Sequence, residues 1–183
     1  MAVNDFNLSA GQRAERKLLI TVAEWTETTG SGQSATTEQV REILGTRTED
    51  SSIEYNADIE TTTDILGHNY TDLNRTQPQQ DFDPYLILGG SKLGPKLNDI
   101  RRRNALSELN QFTIYVITAF VGSASNGYEA EKHVNCTITY NSIGGDVNVN
   151  FPISVYLSND SVTGKVDKLS DDFTFTPDVT VGG

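Results

Sequence analysis

The sequence predicts a mainly β fold with one short α-helix, and three patterns carry that expectation. Ile53, Tyr55, Ala57, Ile59 and Thr61 alternate with Glu54, Asn56, Asp58, Glu60 and Thr62. A period of two marks a strand with one apolar and one acidic face. Phe112–Val121 is apolar on both faces, as a central strand covered on both sides would be. Leu93, Leu97 and Ile100 fall on one helical stripe, and Pro95 suits a first helical turn.

Taken in order, the segment to Gly11 reads as an arm with little to bury, and the arm as a whole is placed at residues 1–16 of a single domain. Leu18–Trp25 is a first strand. Residues 26–50, rich in Thr, Ser and Gly, read as a long loop with a short apolar trace at Val40, Ile43 and Leu44. A connection of that length without its own core is usually functional or disordered in isolation. Residues 51–66 form the acidic-faced strand, Gly67-His68-Asn69 turns it, and Tyr70–Arg75 returns beside it. After a Pro- and Asp-containing loop (Pro78–Pro84) and the patch Tyr85–Leu88, the helix is expected over about residues 94–106.

The last third reads as strands. Glu129–Ile143 and Asp146–Ser158 flank Gly144-Gly145, a hairpin signal. In the second arm Val147, Val149, Phe151, Ile153, Val155 and Leu157 point inward by alternation, with Asp146, Asn148, Asn150 and Ser154 outward. A short strand near Phe173–Thr176 precedes a tail at residues 177–183.

The net charge of −11 and a pI near 4.5 argue against wrapping DNA or docking on an anionic membrane, both of which need clustered bases. Between Thr48 and Asn74 the acids Glu49, Asp50, Glu54, Asp58, Glu60, Asp64 and Asp72 occur with no Lys or Arg. A like-charged sheet face repels itself, so such a face is kept at some loss of stability. No apolar stretch is long enough for a spanning helix, and no basic start precedes an apolar leader. The chain reads as made and kept in a cytoplasm, or released from it by lysis.

Motifs for chemistry are weak. Gly89, Gly94 and Lys96 loosely match a phosphate loop, but Pro95 stands where Lys is required and no Ser or Thr follows Lys96. His68 and His133 are the only histidines, and neither has a partner at metal-ligand spacing. Cys136, the only cysteine, shares an inward pattern with Val134, Ile138 and Tyr140 and reads as a buried thiol. No enzymatic role and no cofactor are expected. Lys92, Lys96, Arg101, Arg102 and Arg103 make residues 92–103 the most basic part of an acidic chain. Successive helical residues fan out by about 100°, so the three arginines do not form one face.

In order along the chain stand Ile53-Glu54-Tyr55-Asn56, Thr63-Asp64-Ile65-Leu66-Gly67, Pro78-Gln79-Gln80-Asp81-Phe82-Asp83-Pro84 and Gly89-Gly90-Ser91-Lys92-Leu93. Tyr128-Glu129-Ala130, Asn141-Ser142-Ile143-Gly144-Gly145 and Phe151-Pro152-Ile153-Ser154-Val155-Tyr156 follow. Over roughly residues 17–158 the sequence thereby resembles the major tail proteins, or tail tube proteins, of phages infecting Gram-positive bacteria. The resemblance implies a β-sandwich or barrel-like subunit with a flanking helix, hexameric rings, and rings stacked into a hollow tube that carries DNA. It also implies tape-measure, tail-terminator and tail-tip proteins as partners, a place in the virion tail, assembly in the host bacterial cytoplasm, and a fold shared with tubes of contractile injection systems.

On that footing Glu54, Asp58 and Glu60 are expected to face the lumen. Lys92, Lys96, Arg101 and Arg102 are expected to contact a neighbouring subunit, and Val40, Ile43 and Leu44 to be buried only between stacked rings. The other classes considered are a glycan-binding or virion-decorating β-sandwich, which needs a concave aromatic platform, and a carboxylate hydrolase, which needs two acids in one pocket.

Overall fold

The computed structural model describes residues 6–29 and 36–178; residues 1–5 of the expected arm, 30–35 of the expected loop and 179–183 of the expected tail lie outside them. A 3₁₀ turn, Arg16–Leu18, leads into β1 (Leu19–Thr29), β2 (Thr36–Ile43), β3 (Ile53–Glu54), β4 (Asp58–Thr63), β5 (Asn69–Arg75) and β6 (Gln79–Phe82). Helix α1 (Leu93–Arg103) and a second 3₁₀ turn (Leu106–Asn110) come next. The chain then runs through β7 (Phe112–Ser123), β8 (Gly127–Tyr140), β9 (Ile153–Tyr156), β10 (Ser161–Val166) and β11 (Phe175–Pro177). The fold is mainly β, as expected, and the pairings between named strands are antiparallel.

The main sheet runs β2-β1-β7-β8-β9-β6-β3, with β10 and β11 branching from β8, while β4 and β5 form a sheet of their own. The branch point is β8. Its first half, Tyr128–His133, pairs with β10, and its second half, Thr137–Tyr140, pairs with β9. Between them Asn135 has φ 56, a left-handed conformation that Asn tolerates better than most residues. The strand changes direction there and serves two sheet segments.

Strand β7 is buried on both faces, as its sequence predicts. Phe112, Ile114 and Val116 join a large cluster with Trp25, Leu97, Ile100, Ile138 and Ile153. Tyr115 and Ile117 join a second cluster with Val22, Val166 and Phe173. Each fully buried side chain of this size contributes about 1.5–3 kcal/mol relative to exposure.

Helix α1 covers the large cluster with Leu93, Leu97 and Ile100, all fully buried. Its N-terminal amides are capped from β2: the Glu42 carboxylate accepts from the Lys92 amide and, at 2.8 Å, from the Leu93 amide. The Tyr85 hydroxyl (2.8 Å) and Ser91 hydroxyl (3.0 Å) donate to the same carboxylate. Burial pushes the Tyr85 hydroxyl well above its ordinary pKa, with the Glu42 charge adding to the effect. At the other end Asn104 takes φ 54 and stops the helix. The helix stops short of the expected residue 106, and the second 3₁₀ turn, which begins there, buries Leu109 and leaves Leu106 exposed.

Three expectations are corrected. Residues 26–50 are not a long loop: β1 extends to Thr29 and pairs with β2 from Val22↔Ile43 to Thr29↔Thr36. The Thr-rich composition suits a pleated strand once a partner supplies its ladder. Leu44 is buried in the large cluster, against which Val40 packs, and Ile43 packs on the second. These three side chains support their own subunit's core. Residues 51–66 are not one strand, since the chain leaves strand geometry between β3 and β4, where Asn56 has φ 43. The arm Asp146–Ser158 narrows to β9: Val147 and Val149 are exposed, and Ser154, expected outward, is buried. The Gly144 amide donates to the Asn150 carbonyl at 3.0 Å, so residues 144–150 close on themselves.

A buried ion pair ties the C-terminal segment to β1 and β2. Arg41 Nε donates to Glu24 Oε2 at 2.5 Å, its Nη1 donates to the Phe173 carbonyl at 2.5 Å, and its guanidinium lies 4.3 Å from the Phe173 ring centroid. Removing one partner of such a pair leaves an uncompensated buried charge, at a cost of about 3–5 kcal/mol. Arg41→Ala is therefore expected to lower the urea midpoint sharply, whereas Arg102→Ala, on the exposed helix face, changes stability by no more than about 0.5 kcal/mol.

Candidate assembly surface

The separate hairpin β4–β5 is the least ordinary surface of the molecule. Every residue of both strands is exposed. A two-stranded hairpin is marginal by itself in water, so its turn and its root must hold it. At the turn Asp64 Oδ1 accepts from the Leu66 amide (2.8 Å) and the His68 amide (2.9 Å). Asp64 Oδ2 meets His68 Nδ1 (3.1 Å) and accepts from the Tyr70 hydroxyl (3.2 Å). The His68 amide, ahead of the other donors, holds the Asp64 carboxyl below its usual range. Gly67 supplies the φ of 85 that the turn requires. At the root the Gln77 amide donates to the Tyr55 carbonyl at 2.9 Å, and Asn56 Nδ2 donates to the Gln77 carbonyl at 3.1 Å.

Cross-strand register sorts the hairpin into two faces. Ile59 opposes Leu73 and Thr61 opposes Thr71 on one face; both apolar side chains are 59% exposed, so no part of the described chain covers this face. On the other, Glu60 stands opposite Asp72 and Asp58 opposite Arg75, the last pair 3.9 Å apart. Two carboxylates directly across a ladder repel. At the tip Ile65 and Leu66 are 102% and 76% exposed.

Of the expected lumen set, Asp58 and Glu60 share a face. Glu54 does not: it lies in β3, opposite Gln79, beside a cleft lined by Asp50 and Asp81. Asp72 takes its place on the acidic face and was legible only through pairing. The basic helix segment is largely neutralised within the subunit. Lys92 pairs with Asp171 (3.3 Å), Lys96 with Glu108 (2.8 Å), and Arg103 with Glu108 (2.8 Å) and Asp99 (2.7 Å). Hydrogen bonds from Arg103 and then Lys96 lower the Glu108 carboxyl to about 2. Arg101 only meets Asn98, at 2.9 Å, and Arg102 forms no ion pair among the described residues. Val40, Ile43 and Leu44 are occupied at home, as described above. Sequence reasoning passed over Ile65 and Leu66 because they sit in a turn, where burial patterns give no signal.

A second feature is a cavity of about 340 Å³ at the hairpin's root, walled by Leu19, Ile53, Pro78, Val116 and Leu157, with Arg16, Tyr55, Glu131 and His133 among its polar rim. His133 Nε2 lies 3.3 Å from Glu131 Oε2, and its Nδ1 is 2.8 Å from the Ser158 carbonyl. Among the described residues no group of three His, Cys, Asp or Glu is placed to hold a metal ion, and no helix is long and apolar enough to cross a membrane.

No protein-family model matches the chain, and no curated protein matches it. Among solved structures, a chain of the anti-feeding prophage baseplate (cryo-EM, 6-fold symmetrised) is similar at 9% identity and a TM-score of 0.41, over 88% of this chain and 100% of that one. Nothing about function follows from a likeness at that level.

Burial lowers the His133 pKa, but the Glu131 hydrogen bond and charge and the Ser158 carbonyl outweigh it, so the net shift is upward. A raised folded pKa gives stability that is full below the ordinary histidine value of about 6.5 and is lost as pH rises through the folded value. The urea midpoint is expected to fall as pH rises above the ordinary histidine value, with that slope flattened in His133→Gln. Separately, Glu60→Lys replaces a repulsive cross-strand pair by an attractive one, so amide exchange in β4 and β5 is expected to slow in the free subunit.

Proposed function

We propose that this chain is a structural subunit that assembles with copies of itself into hexameric rings, stacked as a hollow tail tube through which DNA passes. The observation that carries the reading is the β4–β5 hairpin: one face leaves Ile59 and Leu73 uncovered, and the other sets Glu60 directly against Asp72. Both features are unfavourable in a lone subunit and become useful in an assembly. The apolar face is buried by a neighbour, and the acidic face lines a passage.

An acidic lining suits transit rather than binding. DNA touching a basic wall releases counterions at each neutralised phosphate and adheres. A wall of carboxylates keeps the duplex centred and mobile. Asp58, Glu60 and Asp72 are the lining set in this reading, and Glu54 stands apart from it. Arg101 and Arg102, helix bases without a carboxylate partner among the described residues, are the cations this segment offers to an acidic neighbour. Lys92 and Lys96 serve their own subunit's ion pairs, and the stacking role expected of Val40, Ile43 and Leu44 passes to the hairpin. The sequence resemblance adds tape-measure, tail-terminator and tail-tip proteins as partners, a virion-tail location after assembly in a bacterial cytoplasm, and a role without catalysis.

Negative-stain images of concentrated protein are expected to show hollow fibres. Replacing Asp58, Glu60 and Asp72 together by Lys is expected to leave folding and fibres intact while particles carrying the variant fail to deliver DNA. Normal delivery by those particles would rule out the acidic lining, and the absence of fibres at any concentration would remove the tube.

A further inference from the structure

We infer that the hairpin tip of one copy, Ile65 and Leu66, inserts into the root cavity of another copy. The contact rests on the self-assembly proposed above, but not on DNA passage. The knob is on the surface: two aliphatic side chains, 102% and 76% exposed, are held by a turn that Asp64 braces through the Leu66 and His68 amides. The hole is equally concrete, about 340 Å³ walled by Leu19, Ile53, Pro78, Val116 and Leu157. That volume lies in the range of cavities that bury small apolar groups.

Charge fits as well. The tip carries the negative charge of Asp64, whose oxygens are already engaged by the Leu66 and His68 amides, His68 Nδ1 and the Tyr70 hydroxyl, so it acts on the rim through its field and not as a free acceptor. The cavity rim carries Arg16, an exposed residue whose guanidinium donates to the Ser51 and Leu19 carbonyls without a carboxylate partner among the described residues. The other charged rim residue, Glu131, is already matched to His133.

The knob cannot reach its own hole. Ile53 and Tyr55, at the root of the hairpin, line the cavity. The six residues of β4, at ~3.3 Å each, carry the tip roughly 20 Å away. Two different surfaces meeting between identical copies make a heterologous contact, which propagates as a ring or an open fibre instead of closing as a pair. Each copy then receives one tip beside the root of its own hairpin and offers another at the far end.

The test uses full-length chains carrying Leu66→Cys or Ile53→Cys, with Cys136 left in place because it is fully buried. After oxidation, the mixture of the two variants is expected to give a disulfide-linked dimer on a non-reducing gel, and neither variant alone. Leu66→Asp, at an exposed position, is expected to keep the wild-type melting temperature and to raise the critical concentration for fibres by roughly tenfold or more. Fibres forming normally from Leu66→Asp, with no mixed disulfide, would overturn the contact and leave the tube reading standing. A mixed disulfide without wild-type fibres would uphold the contact and remove the tube. Leu66→Cys dimerising by itself would point to a tip-to-tip contact and overturn the inference. Loss of fibres in Leu66→Asp without the mixed disulfide would seat the tip elsewhere, and equally overturn it.

Discussion

The double-sided burial of β7 is the constraint on which the rest of the structure depends. A strand apolar on both faces must be covered twice. One cover is built from α1, β6, β9 and the Trp25 side of β1. The other comes from the C-terminal segment around Val166 and Phe173. Both covers are then fastened by partly buried charge: Glu42 caps the helix on one side, and Arg41 holds the Phe173 carbonyl on the other. Two adjacent residues of β2 thus clamp the two layers, because neighbouring strand residues point to opposite faces. A strand that composition alone presents as loop is a structural keystone.

Once those layers close, nothing within the described chain is left to cover β4–β5. Its sequence is as strand-like as any other, yet it stays outside the core because the chain kinks at Asn56 and leaves the main sheet. Such an element depends on local hydrogen bonds at its turn and root, and belongs to the low-stability end of a domain. In the assembly proposed above, ordering it against a neighbour would gain apolar burial at little further conformational cost, since the Asp64 turn has already selected its shape.

Charge tells the same story at longer range. The excess of acid is shared unevenly: Lys92, Lys96 and Arg103 are matched by Asp171, Glu108 and Asp99, whereas in the hairpin Asp58 has Arg75 and Glu60 faces Asp72. Exposed pairs contribute little individually, about 0–1 kcal/mol, so the helix network mainly orients side chains.

The sequence by itself determined the β class, the helix stripe Leu93, Leu97 and Ile100, the two-faced β7, the buried Cys136, and the β4–β5 pairing with its acidic side. Each of these is a local periodicity, and side-chain period follows directly from backbone geometry. Tertiary structure alone decided the partners. Residues 36–43 became β2 because β1 supplied a ladder, Val147 and Val149 stayed exposed because the 144–150 loop closed on itself, and Glu54 left the acidic face because β3 pairs with β6 in the main sheet. It also brought Asp72 opposite Glu60 and matched the helix bases with distant acids. Those outcomes depend on which surfaces meet in space, and spacing along a chain carries no record of that.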